Sequence, residues 1–173
     1  MPRLCFIGEF FKSPKVVGTL TQSSKPLARA MAAEINGTMH VVEFGAGTGI
    51  VTRHILSKLP ANGRLTCFEI NPTFCSHLRK IDDPRLEVVN DDAGNCEKYV
   101  ECLDCVVSGL PLVLLSKPDR NRILAITSQC KRFIQLQYSP LLTGVVKNYF
   151  DDVRIKFVPL NFPPAFVYVC QAG

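Results

Sequence analysis

The sequence predicts an α/β fold: a three-layer structure with a seven-stranded, mostly parallel sheet, helices on both of its faces and an antiparallel strand at the C-terminal end. Three observations predict it. Short apolar runs alternate with stretches of helical period from His40 to Phe150, and such alternation builds parallel sheets. Two final runs, Val153–Pro159 and Ala165–Cys170, have no room for a helix between them and must pair antiparallel. A glycine-rich turn, Gly45-Ala46-Gly47-Thr48-Gly49, follows the first run directly.

The elements follow in order. Ser24 before Lys25 and Pro26 is a helix start, because serine caps and proline tolerates the first turn. Leu27, Ala30, Met31 and Ile35 keep the helical period and Gly37 closes it. His40–Phe44 is a buried strand. Thr48–Leu59 is a helix ended by Pro60, and Arg64–Ile70 is the second strand. Asn71 caps a helix that holds Pro72 in its first turn and runs to about Lys80. Leu86–Asn90 is the third strand. A short helix near Cys96–Glu101 precedes the fourth strand, Leu103–Ser108. Lys117–Lys131 is helical, Phe133–Tyr138 is the fifth strand, and a helix covers Leu141–Phe150. The 173 residues are read as one domain: an N-terminal substrate- or membrane-side segment, residues 1–22, and a core, residues 23–173.

Composition narrows the class. An apolar content of 47% is that of a globular chain, and no apolar run approaches the roughly 20 residues that cross a bilayer. No secretory pattern is visible, so a cytoplasmic protein with reduced thiols is expected despite its eight cysteines. Cys102 and Cys105 form a CxxC pair without a second half-site, so no metal is expected. The net charge is +5, and residues 1–30 carry Arg3, Lys12, Lys15, Lys25 and Arg29 against Glu9. That end suits an anionic surface, lipid or nucleic acid, or is simply solvated.

Ligands of open α/β sheets bind at the carboxyl ends of the strands. There Gly45 permits a sharp turn, Gly47 a close approach of backbone to ligand, and Gly49 a helix packed tightly on its strand. The dinucleotide fingerprint is GxGxxG, whereas this loop is GxGxG with Glu43 two residues before it. A carboxylate there repels a pyrophosphate but suits a cationic ligand. S-adenosylmethionine carries an ammonium and a sulfonium and no phosphate. Glu69 ends the second strand about 20 residues beyond Gly49, where an acid accepts from ribose hydroxyls. Asp91-Asp92-Ala93 ends the third strand, where an acid accepts from an adenine amine or merely decorates a surface loop.

Together these residues resemble the class I S-adenosylmethionine-dependent methyltransferases. The resemblance implies the Rossmann-like seven-stranded sheet. It implies that Glu43, Gly45, Ala46 and Gly47 border the methionine part of the cofactor, that Glu69 holds the ribose, that Asp92 and Ala93 border the adenine, and that Gly49 and Ile70 also belong to the cofactor site. It places the acceptor nitrogen and part of the cofactor at Ser108-Gly109-Leu110-Pro111, after the fourth strand. The rRNA adenine dimethylases have an Asn-Leu-Pro-aromatic form there; here the asparagine is replaced by Ser-Gly and the ring by Leu112.

Four segments, Ser13–Met31, Val106–Leu112, Phe133–Pro140 and Asn161–Val169, together resemble the bacterial phospholipid N-methyltransferases, which act on phosphatidylethanolamine. This implies a phospholipid headgroup or small amine as partner and peripheral membrane contact through the N-terminus. Leu4, Phe6, Ile7, Phe10 and Phe11 form a stripe, with Lys12 and Lys15 beside it, that suits either a lipid interface or a core. Lys117, Arg120 and Arg122 suit a lipid phosphate or a solvated helical turn. Tyr138 is the candidate for orienting the amine or is a packed ring. His40, His54 and His77 do not gather at strand ends. RNA adenine methylation and a non-catalytic cofactor-binding scaffold stand as the alternatives.

Overall fold

The computed structural model describes residues 23–171, so the apolar stripe and basic residues expected within residues 1–22 lie outside the described residues. Seven strands form one sheet: β1 (His40–Phe44), β2 (Arg64–Phe68), β3 (Leu86–Val89), β4 (Cys105–Ser108), β5 (Arg132–Gln137), β6 (Asp152–Val158) and β7 (Ala165–Gln171). Their order is β3-β2-β1-β4-β5-β7-β6. All neighbours pair in parallel except β7, which is antiparallel to both β5 and β6. The order reverses between β1 and β4, so the sheet's switch point lies between their carboxyl ends.

The central strands read as continuous apolar runs because both faces are covered. On one face α1 (Lys25–Ala32) and α2 (Ile50–Leu56) pack over Val41, Leu65, Val107, Ile134 and Val167. On the other, α4 (Lys117–Thr127) and α5 (Thr143–Lys147) cover Val42, Phe44, Phe68, Phe133 and Tyr168. The remaining helix, α3 (Pro72–Leu78), begins at the Asn71 cap expected from the sequence, whose side chain accepts from the Thr73 and Phe74 amides.

Several boundaries differ from expectation. Helix α2 starts at Ile50, not Thr48, because Gly49 caps it in the left-handed region. It stops at Leu56, with Ser57 as its cap. The helix expected near Cys96–Glu101 is a 3-10 turn over Ala93–Lys98, drawn forward because Asp92 Oδ1 accepts from the Gly94 amide at 2.7 Å. The stretch Leu141–Phe150 divides into a 3-10 turn, Pro140–Leu142, and α5. Strand β4 begins at Cys105, leaving Leu103 outside it, and β2 ends at Phe68.

Two polar clamps fix α1 against the C-terminal hairpin. Glu34, buried beyond the end of α1, pairs with Lys156 and, at 3.8 Å, with Arg154 of β6. Asn161, buried in the β6–β7 loop, accepts from the Ser24 amide at 2.9 Å and donates to the Pro163 carbonyl at 2.7 Å. The Ser24 hydroxyl donates to the Leu160 carbonyl at 2.9 Å. Replacing Asn161 strands these partners in a half-buried place. Asn161→Ala is expected to lower stability by about 1–3 kcal/mol, read as an earlier midpoint in urea with an unchanged slope.

Candidate active site

The turns after β1 and β4 pass each other at the switch point with no room for side chains. The Gly45 amide donates to the Phe68 carbonyl and the Gly109 amide to the Phe44 carbonyl, both at 2.9 Å. A Cβ on Gly109 would lie 3.1 Å from the Gly45 carbonyl oxygen. Gly45 sits at φ +71°, and its Cβ would lie 2.9 Å from Leu110 Cδ2. Glycine suits both positions: at Gly45 the positive φ favours it, and at Gly109 a Cβ would be tight against backbone.

Two carboxylates face this crossing. Glu43, on β1, is almost fully buried; its Oε2 accepts from Thr52 Oγ1 at 2.7 Å and from Cys67 Sγ at 3.0 Å. Burial outweighs those bonds and pushes its pKa up to about 7. The same burial, with Glu43 beside it, pushes the Cys67 thiol up, so Cys67 acts as a hydrogen-bond donor. Glu69 follows β2. Its Oε2 accepts from the Gly47 amide at 2.9 Å and its Oε1 from the Asn71 amide at 2.8 Å. Burial raises its pKa against the pull of these amides. Among the described residues, no Lys, Arg or His pairs with either acid.

Both acids open onto a cleft of about 1070 Å³, part of it open to solvent. One wall is the glycine turn and the start of α2: Gly45, Ala46, Gly47, Thr48, Ile50 and Val51. The opposite wall is apolar, built from Pro111, Val113, Leu114 and Leu136, with Gly109 and Tyr138. Ser23 and Phe74 complete the lining. A smaller recess of about 310 Å³ shares Gly45 and Glu69 with the cleft and adds Ile70, Asp91, Asp92, Ala93 and Leu110.

The structure thus gathers most residues singled out from the sequence. Glu43, Gly45, Ala46, Gly47, Glu69, Gly109 and Tyr138 line the cleft, and Ile70, Asp92, Ala93 and Leu110 line the recess. Two do neither. Gly49 packs against α3 rather than its own strand, with Leu78 Cδ2 only 2.9 Å from where its Cβ would be. Ser108 is fully buried, and its hydroxyl accepts from the Leu110 amide at 3.3 Å, shaping the turn from behind. The Leu110 carbonyl accepts from Gln135 Nε2 at 2.8 Å. Arg122 is also engaged elsewhere, donating to the Gly94 carbonyl at 2.5 Å. Sequence reasoning missed Gln135, and its signal was there: glutamine at two positions of the apolar run Phe133–Gln137.

Burial pushes the Tyr138 phenol's pKa up, so the hydroxyl stays protonated near neutrality. His40 bonds Thr66 Oγ1 at 3.2 Å and His54 the Ile50 carbonyl at 2.9 Å, neither of them in the cleft.

The family model described as a methyltransferase domain matches residues 41–132, more than half of the chain. The chain belongs to this methyltransferase family. A relative matches nearly all of the chain: the ornithine lipid N-methyltransferase of Singulisphaera acidiphila is 30% identical over 180 residues, covering 96% of this chain and 94% of that protein. Two solved methyltransferase structures share the fold. The precorrin-6y C5,15-methyltransferase of Geobacter metallireducens has a TM-score of 0.71 at 14% identity, covering 88% of this chain and 90% of that one. The magnesium protoporphyrin IX methyltransferase of Synechocystis, solved with bound cofactor, has a TM-score of 0.71 at 9% identity, covering 96% and 95%. The protein is a class I S-adenosylmethionine-dependent methyltransferase related to lipid N-methyltransferases.

The residues present fit that cofactor. A buried carboxylate raised toward neutrality, with no basic side chain paired to it, matches an ammonium-bearing ligand. A Cβ placed on Gly47 would meet nothing within 4 Å, so the loop backbone is open to an approaching group.

The sign of the pH dependence follows from Glu43. Its folded pKa lies above the ordinary 4.5, at about 7, so its contribution to stability is complete below pH 4.5 and lost as pH rises toward 7. Glu69 shifts in the same direction. Ligand-free protein should show a falling melting temperature across that window, flattened in Glu43→Gln. Cofactor affinity should do the reverse, strengthening as pH rises through 7 by up to about tenfold per unit below it. Calorimetry across pH 5.5–8 on both proteins checks this; parallel profiles would remove Glu43 from the cofactor's electrostatics.

Proposed function

We propose that this methyltransferase N-methylates the amine of a membrane-lipid headgroup, of the phosphatidylethanolamine type, at the inner face of the cytoplasmic membrane. The observation that carries this reading is the end-to-end similarity to a lipid N-methyltransferase. The apolar wall opposite the cofactor residues supports it.

In this reading Glu43, Gly45, Ala46 and Gly47 hold the methionine part of the cofactor. Glu69 accepts from the ribose, and Ile70, Asp92 and Ala93 border the adenine. Gly109 and Pro111 carry the acceptor side, with Ser108, Leu110 and Gln135 shaping the turn from behind. When bound, the cofactor supplies an electrophilic methyl group on a sulfonium sulfur. A protonated amine has no lone pair to offer, so the chain's own task is to favour the neutral form and aim it. Pro111, Val113, Leu114 and Leu136 strip water from the amine, and burial lowers an amine's pKa. The Tyr138 hydroxyl orients the nitrogen and keeps its own proton, while the proton released by the methylated nitrogen leaves to solvent. Alignment rather than strong base catalysis supplies the rate.

Labelled methyl from S-adenosylmethionine, offered in parallel to phosphatidylethanolamine vesicles, ornithine-lipid vesicles and ribosomal RNA, tests the reading. Label is expected in the phosphatidylethanolamine. Label confined to ornithine lipid would keep the aminolipid class and replace the headgroup. Label in RNA alone would overturn the proposal, and cofactor binding without label anywhere would favour a non-catalytic scaffold. Tyr138→Phe is expected to lower kcat by about tenfold with cofactor affinity unchanged. An unaltered kcat would leave Tyr138 as packing.

A further inference from the structure

The chain connections on the cleft side of the sheet divide sharply in character. Strand β6 runs in the same direction as β5, since both are antiparallel to β7. The connections after β4, after β5 and between β6 and β7 therefore emerge on one sheet edge, the edge that carries the cleft. Their sequences are residues 109–116, GLPLVLLS; residues 138–142, YSPLL; and residues 159–164, PLNFPP. None contains a charged residue. The other half of the same edge bears Glu69, Asp91 and Asp92.

This uncharged half projects large apolar side chains into solvent. Phe162 is 93% exposed, Leu141 79% and Leu160 73%, with Val113 and Leu114 partly exposed on the cleft wall itself. The projecting side chains are held in place. Asn161 stands between Leu160 and Phe162 and bonds the Ser24 amide and the Pro163 carbonyl, and the Ser24 hydroxyl donates to the Leu160 carbonyl. The loop that carries Leu160 and Phe162 is thereby tied to Ser24, next to Ser23, which lines the cleft. Leu141 lies three residues beyond Tyr138. Exposed Lys25 and Lys117 flank the apolar connections at the starts of α1 and α4. The 22 residues before Ser23 join the chain at the cleft wall, and they carry Arg3, Lys12 and Lys15 against Glu9.

Apolar side chains grouped on one edge and bordered by cations have the chemistry of a surface for anionic lipid. We propose that this edge is a membrane-docking surface. Phe162, Leu160 and Leu141 enter the bilayer interface, Lys25 and Lys117 meet anionic headgroups, and the cleft mouth is presented to lipid amines without leaving the membrane plane. This deepens the aminolipid reading and rests on it for what enters the cleft. The docking itself stands on the placement of the three connections.

The test is flotation with vesicles of phosphatidylethanolamine and phosphatidylglycerol, using the full chain. Wild type should float. Leu160→Ser with Phe162→Ser should bind about tenfold more weakly for each side chain removed, and Leu141→Ser, on a separate connection, should weaken binding independently. All three side chains are exposed, so melting temperatures should stay at the wild-type value. Transfer to a short-chain aminolipid dispersed in detergent should persist in the variants while transfer to vesicles falls. Wild-type flotation by both variants would overturn the docking surface and leave membrane contact to residues 1–22. Weakened flotation with no methyl transfer to any lipid amine would uphold the surface and sink the substrate reading instead.

Discussion

The cleft exists because two backbone amides, those of Gly45 and Gly109, bond carbonyls of neighbouring strands at the point where the sheet reverses direction. The chain leaves β1 toward one face and β4 toward the other, and the two turns touch so closely that a Cβ on Gly109 would lie 3.1 Å from the Gly45 carbonyl oxygen. Every other feature of the site is hung from that crossing. The glycine turn exposes its backbone on one side of it, the apolar wall begins at Gly109 on the other, and Leu110 closes the recess behind. A side chain at either glycine would push the turns apart and change the shape of both cavities together.

The crossing also explains why two acids are kept in so apolar a place. Glu69 bridges the Gly47 and Asn71 amides, so it fixes the glycine turn relative to α3 as well as facing the cleft. Glu43 has only neutral partners, Thr52 and Cys67, and burial raises its pKa to about 7. A carboxyl in that condition is held at the boundary between its two charge states. A cationic ligand favours the charged state, so cofactor charge and protein protonation are linked through one residue. Glu69 is shifted in the same direction by burial, against the pull of its own hydrogen bonds.

The strand and helix order was legible in the sequence because each buried strand is a short apolar run and most helices begin at a Ser or Asn cap beside a proline. The acids and glycines were legible because strand-end position is set by register, and register follows from the apolar runs. What was not legible depends on three-dimensional closeness. That Ser108 points into the core rather than the cleft requires knowing which face of β4 is packed. Gln135 stands 25 residues from the carbonyl it holds, a partnership no local pattern encodes. Gly49 looked like a strand–helix glycine but is set by Leu78 of a different helix. Helix ends moved where local backbone chemistry intervened: Asp92 captured the Gly94 amide ahead of the expected helix, and Gly49 capped α2 in the left-handed region.

The division of the cleft-bearing edge matches the two kinds of ligand a methyltransferase must hold at once. The β1–β2–β3 half is acidic and rich in backbone amides, suited to a polar, cationic cofactor taken from water. The β4–β5–β6 half carries no charge in its three connections and ends in exposed Leu and Phe side chains. For an acceptor arriving from water, those side chains would serve no binding purpose and would favour self-association. For an acceptor whose acyl chains stay in a bilayer, the same side chains let the protein meet the substrate where it is. The apolar half of the edge and the apolar wall of the cleft are then one continuous surface, running from the interface to the position of the amine. Under the proposed membrane docking, the asymmetry of the edge has a single physical reason: the cofactor comes from solvent and the acceptor does not.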